Sequence, residues 1–156
     1  SAPCVWQQVM KTGTAEGLRI GGHFAQEALR VRRGIPGFGN EATPGIEVAP
    51  IFGVQFAPEL SASALGKSAA AGARGRRALI AFSSPANLIG FGTRDAIVHG
   101  DRVLGEVTSR VWLPGWRDTL LLALLNAESA RVTSLEMVAD GRRWSLIHRH
   151  TNWPPA

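Results

Sequence analysis

The second half of the chain alternates apolar and polar residues with a period of two, the period of a β-strand. The segments that follow this pattern, or are apolar throughout, are residues 78–82, 95–98, 103–108, 119–125, 131–138 and 143–148. One of the turns between them contains Asp140-Gly141, a strong hairpin signal. Short strands at this spacing predict a closed or sandwiched antiparallel sheet across residues 77–150.

The centre of this region contains a strand that is predicted to be buried on both faces of the sheet. Residues 119–125 read Thr-Leu-Leu-Leu-Ala-Leu-Leu, so a strand here is apolar on both faces and is predicted to be fully buried. Just before it, Trp112, Pro114 and Trp116 are predicted to form an ordered loop that packs on the sheet or on an adjoining domain.

The first third of the chain has a helical period instead. Apolar residues recur at helical spacing in two stretches within residues 3–33, and Gly34 predicts the end of the second helix. Residues 34–50 contain four glycines and three prolines, which favour an ordered loop. A strand is expected over residues 51–56 and a short helix over residues 61–71. The two apolar stretches are Val5, Trp6, Val9 and Met10, then Phe24, Ala25, Ala28 and Leu29.

Length and composition narrow the class of protein. The 156 residues suffice for one ordinary domain, or for a small domain and part of another. The single Cys4 excludes an internal disulfide framework and, with four scattered histidines, does not make a structural zinc site. The longest apolar run, residues 120–125, is far shorter than the roughly 20 residues of a membrane helix. We therefore expect a soluble, cytoplasmic protein with no membrane partner.

The net charge of +5 and the pI of about 10.9 raise the question of nucleic-acid binding. The arginines form three clusters, residues 30–33, 74–77 and 142–143, each beside a glycine. Arginines are favourable at the C-terminal ends of helices and are common beside turns, so these positions explain the clusters without a ligand. The alternative is a site for an anionic ligand such as a polyglutamate tail.

Two motifs have both a structural and a functional interpretation. Gly37-Phe38-Gly39 lacks the third glycine of a dinucleotide fingerprint and follows a helix, so we interpret it as a turn whose Phe38 either packs in a core or stacks on a flat ligand. His148 and His150 alternate on one predicted strand, as metal ligands can, but no third ligand is apparent. No metal site is therefore predicted.

A colinear series of segments resembles the aminomethyltransferase (glycine cleavage T-protein) family. Residues 25–34 resemble the family's helix Ala-Leu-Asp-Ser-Leu-Arg-x-Glu-Lys-Gly, and residues 38–41 resemble the aromatic, glycine-containing turn after it. Residues 64–70 resemble its Phe-Ile-Gly-Lys-x-Ala-Leu helix, and residues 105–109 its Gly-x-Val-Thr-Ser strand end. Departures at Gln26, Arg32 and Ile35 make the chain more similar to the C-terminal halves of dimethylglycine dehydrogenase and sarcosine oxidase flavoenzymes than to a stand-alone T-protein.

The resemblance implies an α+β fold in which a helical remnant of an α/β folate-binding domain precedes an antiparallel β-barrel. The implied divisions are residues 1–56 for the end of the folate-binding domain, 57–75 for a linker with a short helix, and 76–156 for the barrel. Tetrahydrofolate is the implied cofactor, with Arg30, Phe38 and Trp153 near it, while FAD would belong to a separate domain or subunit. The family's catalytic carboxylates lie upstream of this sequence, so no catalytic residue is assigned.

The function implied is therefore tetrahydrofolate-dependent one-carbon (aminomethyl) transfer. The chain would be a C-terminal fragment that is inactive alone. Its expected partner is a missing N-terminal half or a partner subunit. Two alternatives stay open. The barrel could be a degenerate, non-catalytic module for subunit or domain contacts. It could also be a basic barrel that binds RNA, but no row of aromatic residues on the strands supports this, so no nucleic-acid partner is expected.

Overall fold

The computed structural model describes residues 1–41, 77–89 and 94–149. Two helices precede six strands in chain order. They are α1 (Ala2–Ala15), α2 (His23–Arg32), β1 (Arg77–Ser84), β2 (Ala96–His99), β3 (Arg102–Leu113), β4 (Asp118–Asn126), β5 (Leu135–Ala139) and β6 (Arg142–Arg149). The strand predicted over residues 51–56, the helix predicted over residues 61–71, His150 and Trp153 lie outside the described residues.

The six strands close into an antiparallel barrel in the order β1-β4-β3-β2-β5-β6, and β6 pairs back with β1. Hairpins join β2 to β3, β3 to β4 and β5 to β6. The predicted α+β class with an antiparallel barrel is confirmed.

Alternate positions of the strands fill the barrel interior. The fully buried side chains there include Phe82, Ile97, Val107, Leu121, Leu125 and Met137. A second, smaller cluster lies on the outside of the barrel, where Val31 of α2 packs with Leu120 and Leu122 of β4 and with Val111 of β3. Strand β4 is therefore covered on both faces, which confirms the prediction from its unbroken apolar sequence.

Helix α2 ends as its sequence predicts. Gly34 has a φ of +66°, a conformation that glycine adopts without the steric cost of a Cβ atom. The Gly34 N–H donates to the Val31 carbonyl at 3.1 Å and the Ile35 N–H donates to the Arg30 carbonyl at 3.0 Å. These two bonds form a Schellman motif, which sets the direction in which the chain leaves the helix.

The structure corrects two strand boundaries. Ala127–Arg131 forms a 3-10 turn, so β5 begins at Leu135 and the strand predicted from residue 131 is wrong over its first four residues. Alanine and glutamate favour such a helical turn over an extended chain. Trp112 lies within β3, opposite Thr119, and is not part of the predicted loop. Only the tight turn between β3 and β4 remains, and there the Trp116 ring lies 4.9 Å from the Arg32 guanidinium.

The apolar residues of the two helices are more exposed than their spacing suggests. Helix α1 has no buried residue, and Trp6 is exposed. In α2 the barrel contact is made by Ala28 and Val31, while Phe24 and Leu29 are exposed. Within the described ranges, neither helix has the length and hydropathy required to cross a membrane.

Candidate functional site

The turn after α2 presents an aromatic side chain to solvent. The Asn40 and Glu41 N–H groups both donate to the Gly37 carbonyl, at 3.3 and 3.1 Å. Gly39 has a φ of +93°, which closes the turn. Phe38 stands between the two glycines with 87% of its surface exposed, so it packs in no core here and its ring face is open to a ligand. This agrees with the turn interpretation of the Gly37-Phe38-Gly39 sequence.

A fully buried carboxylate lies beneath this turn. Glu41 is 0% exposed. Its Oε2 atom accepts from the Gly37 N–H at 2.7 Å and from Arg30 Nη1 at 2.9 Å. Its Oε1 atom accepts from Thr108 Oγ1 at 2.7 Å and from Ser109 Oγ at 2.5 Å. A buried charge is tolerated only when it is paired and hydrogen-bonded in this way, so Glu41 ties the turn firmly to β3.

Strand β3 presents two consecutive hydroxyl groups to this one carboxylate. Adjacent residues in a regular strand point to opposite faces, so Thr108 and Ser109 would normally diverge. The pairing of β3 with β4 shifts register between Val107 and Ser109. A bulge of this kind redirects side chains, and here it brings both hydroxyls to Glu41.

Arg30 completes the network with all five of its N–H groups. Nε and Nη2 hold the Glu27 carboxylate at 3.0 and 2.6 Å. Nη1 donates to the Ile35 carbonyl and to Glu41, both at 2.9 Å, and Nη2 also donates to Ser109 Oγ at 2.7 Å. The hydrogen bond to Glu27 raises the pKa of Arg30 above its ordinary value, and the same bond lowers the pKa of Glu27.

These contacts define what Arg30 does in the structure. It lies at the base of the turn that carries Phe38. Its five N–H groups are directed at protein acceptors, which supports a positioning role for the turn. The interpretation of Arg30 as a direct ligand contact stays a prediction, as does that of Phe38, while Trp153 lies outside the described residues.

Sequence reasoning missed Glu41, Thr108 and Ser109 as members of the site. Each stood in a segment that had been singled out, Glu41 at the end of the aromatic turn and Thr108-Ser109 at the strand end. Glu41 contacts Thr108 and Ser109, which lie 67 and 68 positions further along the chain. No local pattern shows such a contact.

The described residues contain no group of three metal-ligating side chains. The His148 ring packs edge-on against Phe82, with 5.5 Å between the ring centroids and 87° between the planes. This side chain therefore contributes to packing at the barrel.

Comparison with known proteins gives one finding that bears on function. No protein-family model matches the chain. An aminomethyltransferase of Bacillus cereus (strain 03BB102) is 27% identical over 155 residues, an alignment that covers 92% of this chain and 40% of that protein. The chain thus spans well under half the length of this relative. The likeness is weak, and it supports at most the glycine cleavage T-protein (aminomethyltransferase) family.

Proposed function

We propose that this chain is part of a tetrahydrofolate-dependent module for one-carbon (aminomethyl) transfer. The observation that carries the proposal is the similarity to an aminomethyltransferase along 92% of the chain. The order of the matching segments agrees with it, since the helix, the aromatic turn and the Thr-Ser strand end that meet in the structure are the segments in which the sequence resembles the family.

The geometry suggests how the chain contributes to a folate site. An exposed phenyl ring offers an apolar face on which a flat heteroaromatic ring can stack. The network below it holds the Phe38 backbone through the Gly37 N–H and the Glu41 side chain. A turn that is ordered before the ligand arrives loses less entropy on binding. We assign Phe38 to the ligand contact, Arg30 and Glu41 to its positioning, and keep Trp153 as a further candidate contact.

We further propose that the chain does not catalyse transfer by itself. Near the Phe38 turn, the carboxylates of the described residues are already engaged: Glu41 with four donors and Glu27 with Arg30. Folate, when bound, supplies the nitrogen that accepts the one-carbon unit. The groups that orient this nitrogen and move protons would come from another part of the protein or from a partner subunit, and this chain would provide one wall of the pocket.

The resemblance to dimethylglycine and sarcosine oxidising enzymes extends the proposal. In that setting a methylated amine is oxidised on a separate domain or subunit that carries FAD, and the one-carbon unit passes to the folate site. Enclosure between two walls would keep the reactive product of oxidation away from water and close to the acceptor.

A second candidate function is a non-catalytic barrel that makes subunit or domain contacts. The specific observation in its favour is the saturation of Arg30 by protein acceptors, because it leaves Phe38 as the one predicted folate residue with an open surface in the described ranges. An exposed phenylalanine fits a protein contact as well as a ligand contact.

Calorimetric titration with tetrahydrofolate separates the two functions when this chain is joined by the part of the protein or the partner subunit that completes the proposed pocket. The folate proposal predicts saturable heat that Phe38→Ala abolishes. Phe24→Ala is the matched control, because Phe24 is an exposed phenylalanine on α2 and should leave the heat unchanged. Absence of heat, or equal loss in both variants, would favour the non-catalytic barrel. Folate turnover by this chain alone would refute the claim that it lacks the catalytic groups.

A further inference from the structure

A second concave site lies on the barrel, separate from the Phe38 turn. It is a cleft of about 330 Å³ where the start of β1, Arg94 and the first residue of β2, the first part of β3 and the end of β4 come together. Its lining includes Arg77, Arg94, Gly105, Glu106, Leu124 and Asn126. The volume falls at the lower end of the range of small-molecule sites, roughly 300–1,000 Å³.

Two guanidinium groups converge in this cleft on one carboxylate oxygen. Glu106 Oε1 accepts from Arg94 Nη1 at 2.7 Å and from Arg77 Nη1 at 3.2 Å. Two positive charges thus face one negative charge, and the cleft keeps a net positive charge. Each guanidinium has five N–H donors, and these two bonds use one from each. The remaining donors form planar forks that match the oxygens of a carboxylate or a phosphate.

The backbone holds one of the two arginines in a fixed position. Arg94 has a φ of +77°, a conformation that residues with a side chain rarely adopt. Two backbone hydrogen bonds of 2.8 Å fix this conformation. The Arg94 N–H donates to the Val107 carbonyl, and the Val107 N–H donates to the carbonyl of the next residue, Asp95. A strained residue that its surroundings hold in place is a frequent feature of binding sites. The anchored backbone and the Glu106 bond together direct the Arg94 guanidinium into the cleft.

We propose that this cleft is a binding site for an oxyanion, a carboxylate or phosphate group carried by a small molecule, with Arg77 and Arg94 as its ligands and Glu106 as the group that orients them. Arg77 is the one member of the 74–77 arginine cluster within the described residues. An anionic-ligand site is one of the two interpretations of that cluster from the sequence. The proposal is independent of folate binding at Phe38, because the two sites share no residue.

The test is a nuclear magnetic resonance titration of the whole chain at constant ionic strength. Inorganic phosphate and glutarate are the two probes, so that the preferred oxyanion is identified. We expect saturable shifts of the Gly105, Glu106 and Asn126 amides with at least one probe. Arg77→Gln and Arg94→Gln should each weaken binding about tenfold or more, as expected for loss of charge-assisted hydrogen bonds.

Two further variants make the result decisive. Glu106→Gln keeps an acceptor oxygen that can orient the two arginines but removes the competing carboxylate charge, so it should tighten binding severalfold. Arg143→Gln is the matched control, because Arg143 is a similarly exposed arginine that also bonds acidic side chains, Glu136 and Asp101. It should leave binding unchanged. Equal weakening in Arg143→Gln, weaker binding in Glu106→Gln, or no saturable shift with either probe would overturn the proposal.

Discussion

Replacement of Glu41 by glutamine tests whether the buried network holds the aromatic turn. The substitution keeps the size of the side chain but removes its charge and replaces one acceptor oxygen with a donor. Of the four hydrogen bonds to Glu41, two then face an N–H₂ group that cannot accept them. Breaking a buried ion pair by changing one partner costs about 3–5 kcal/mol, a large part of the roughly 5–15 kcal/mol that stabilises a domain.

Urea unfolding at neutral pH measures this cost. We expect Glu41→Gln to lower the free energy of unfolding by about 3 kcal/mol or more, seen as a lower midpoint with an unchanged slope. The control is Glu136→Gln, since Glu136 pairs with Arg143 at the surface and such a pair contributes about 0–1 kcal/mol. The reasoning would be refuted if both variants lost the same small amount.

The same substitution should also loosen the turn itself. The Gly37 N–H and the Arg30 guanidinium both lose the Oε2 acceptor if the new amide nitrogen occupies its position. Hydrogen exchange of the Gly37 amide should therefore become faster relative to amides in β4. Unchanged protection of Gly37 in Glu41→Gln would show that the backbone turn is stable without the carboxylate.

Three other predictions concern stability. Gly105→Ala should destabilise the barrel by about 1–3 kcal/mol in urea unfolding, because the added Cβ would overlap the Leu124 carbonyl oxygen. Gly115→Ala is the control and should be near neutral, since a Cβ at Gly115 meets open space. Equal effects of the two substitutions would contradict this reasoning. Trp116→Ala should lower the free energy of unfolding by about 1–2 kcal/mol, less than the loss of a buried tryptophan, since 39% of its surface is exposed. An unchanged melting temperature would show that its cation–π contact contributes nothing. The lowered pKa of Glu27 stabilises the fold above its ordinary pKa of 4.5, and this contribution is lost as the pH falls through the folded-state pKa. Glu27→Gln should therefore lose less stability than the natural chain between pH 7 and pH 3, and an identical loss would contradict the sign.

Local sequence patterns predicted the elements whose environment is set by their own residues. Strand β4 is apolar at every position from Leu120 to Leu125, and it proved to be buried on both faces. The Asp140-Gly141 turn joins β5 to β6, with both residues at positive φ as a tight hairpin requires. The end of α2 at Gly34 follows from the conformational freedom of glycine alone.

Features that depend on distant contacts were not predicted. The packing face of α2 is set by where β3 and β4 lie, so its apolar spacing did not show that Phe24 is exposed and Val31 buried. The extension of β3 through Trp112 depends on pairing with Thr119 across the turn. Glu41 looked like an ordinary loop carboxylate, because its partners Thr108 and Ser109 are brought to it only by the closed barrel and the bulge.

The most direct test of the central claim is a nuclear magnetic resonance titration with 5-formyl-tetrahydrofolate, a stable reduced folate, of this chain together with the part of the protein or the partner subunit that completes the proposed pocket. The account predicts saturable shifts of the Phe38, Gly39 and Asn40 amides, with no response at the distant Gly100 turn, and their loss in Phe38→Ala. Absence of saturable shifts at the Phe38 turn, or shifts that persist in Phe38→Ala, would contradict the proposal that this turn is one wall of a folate pocket.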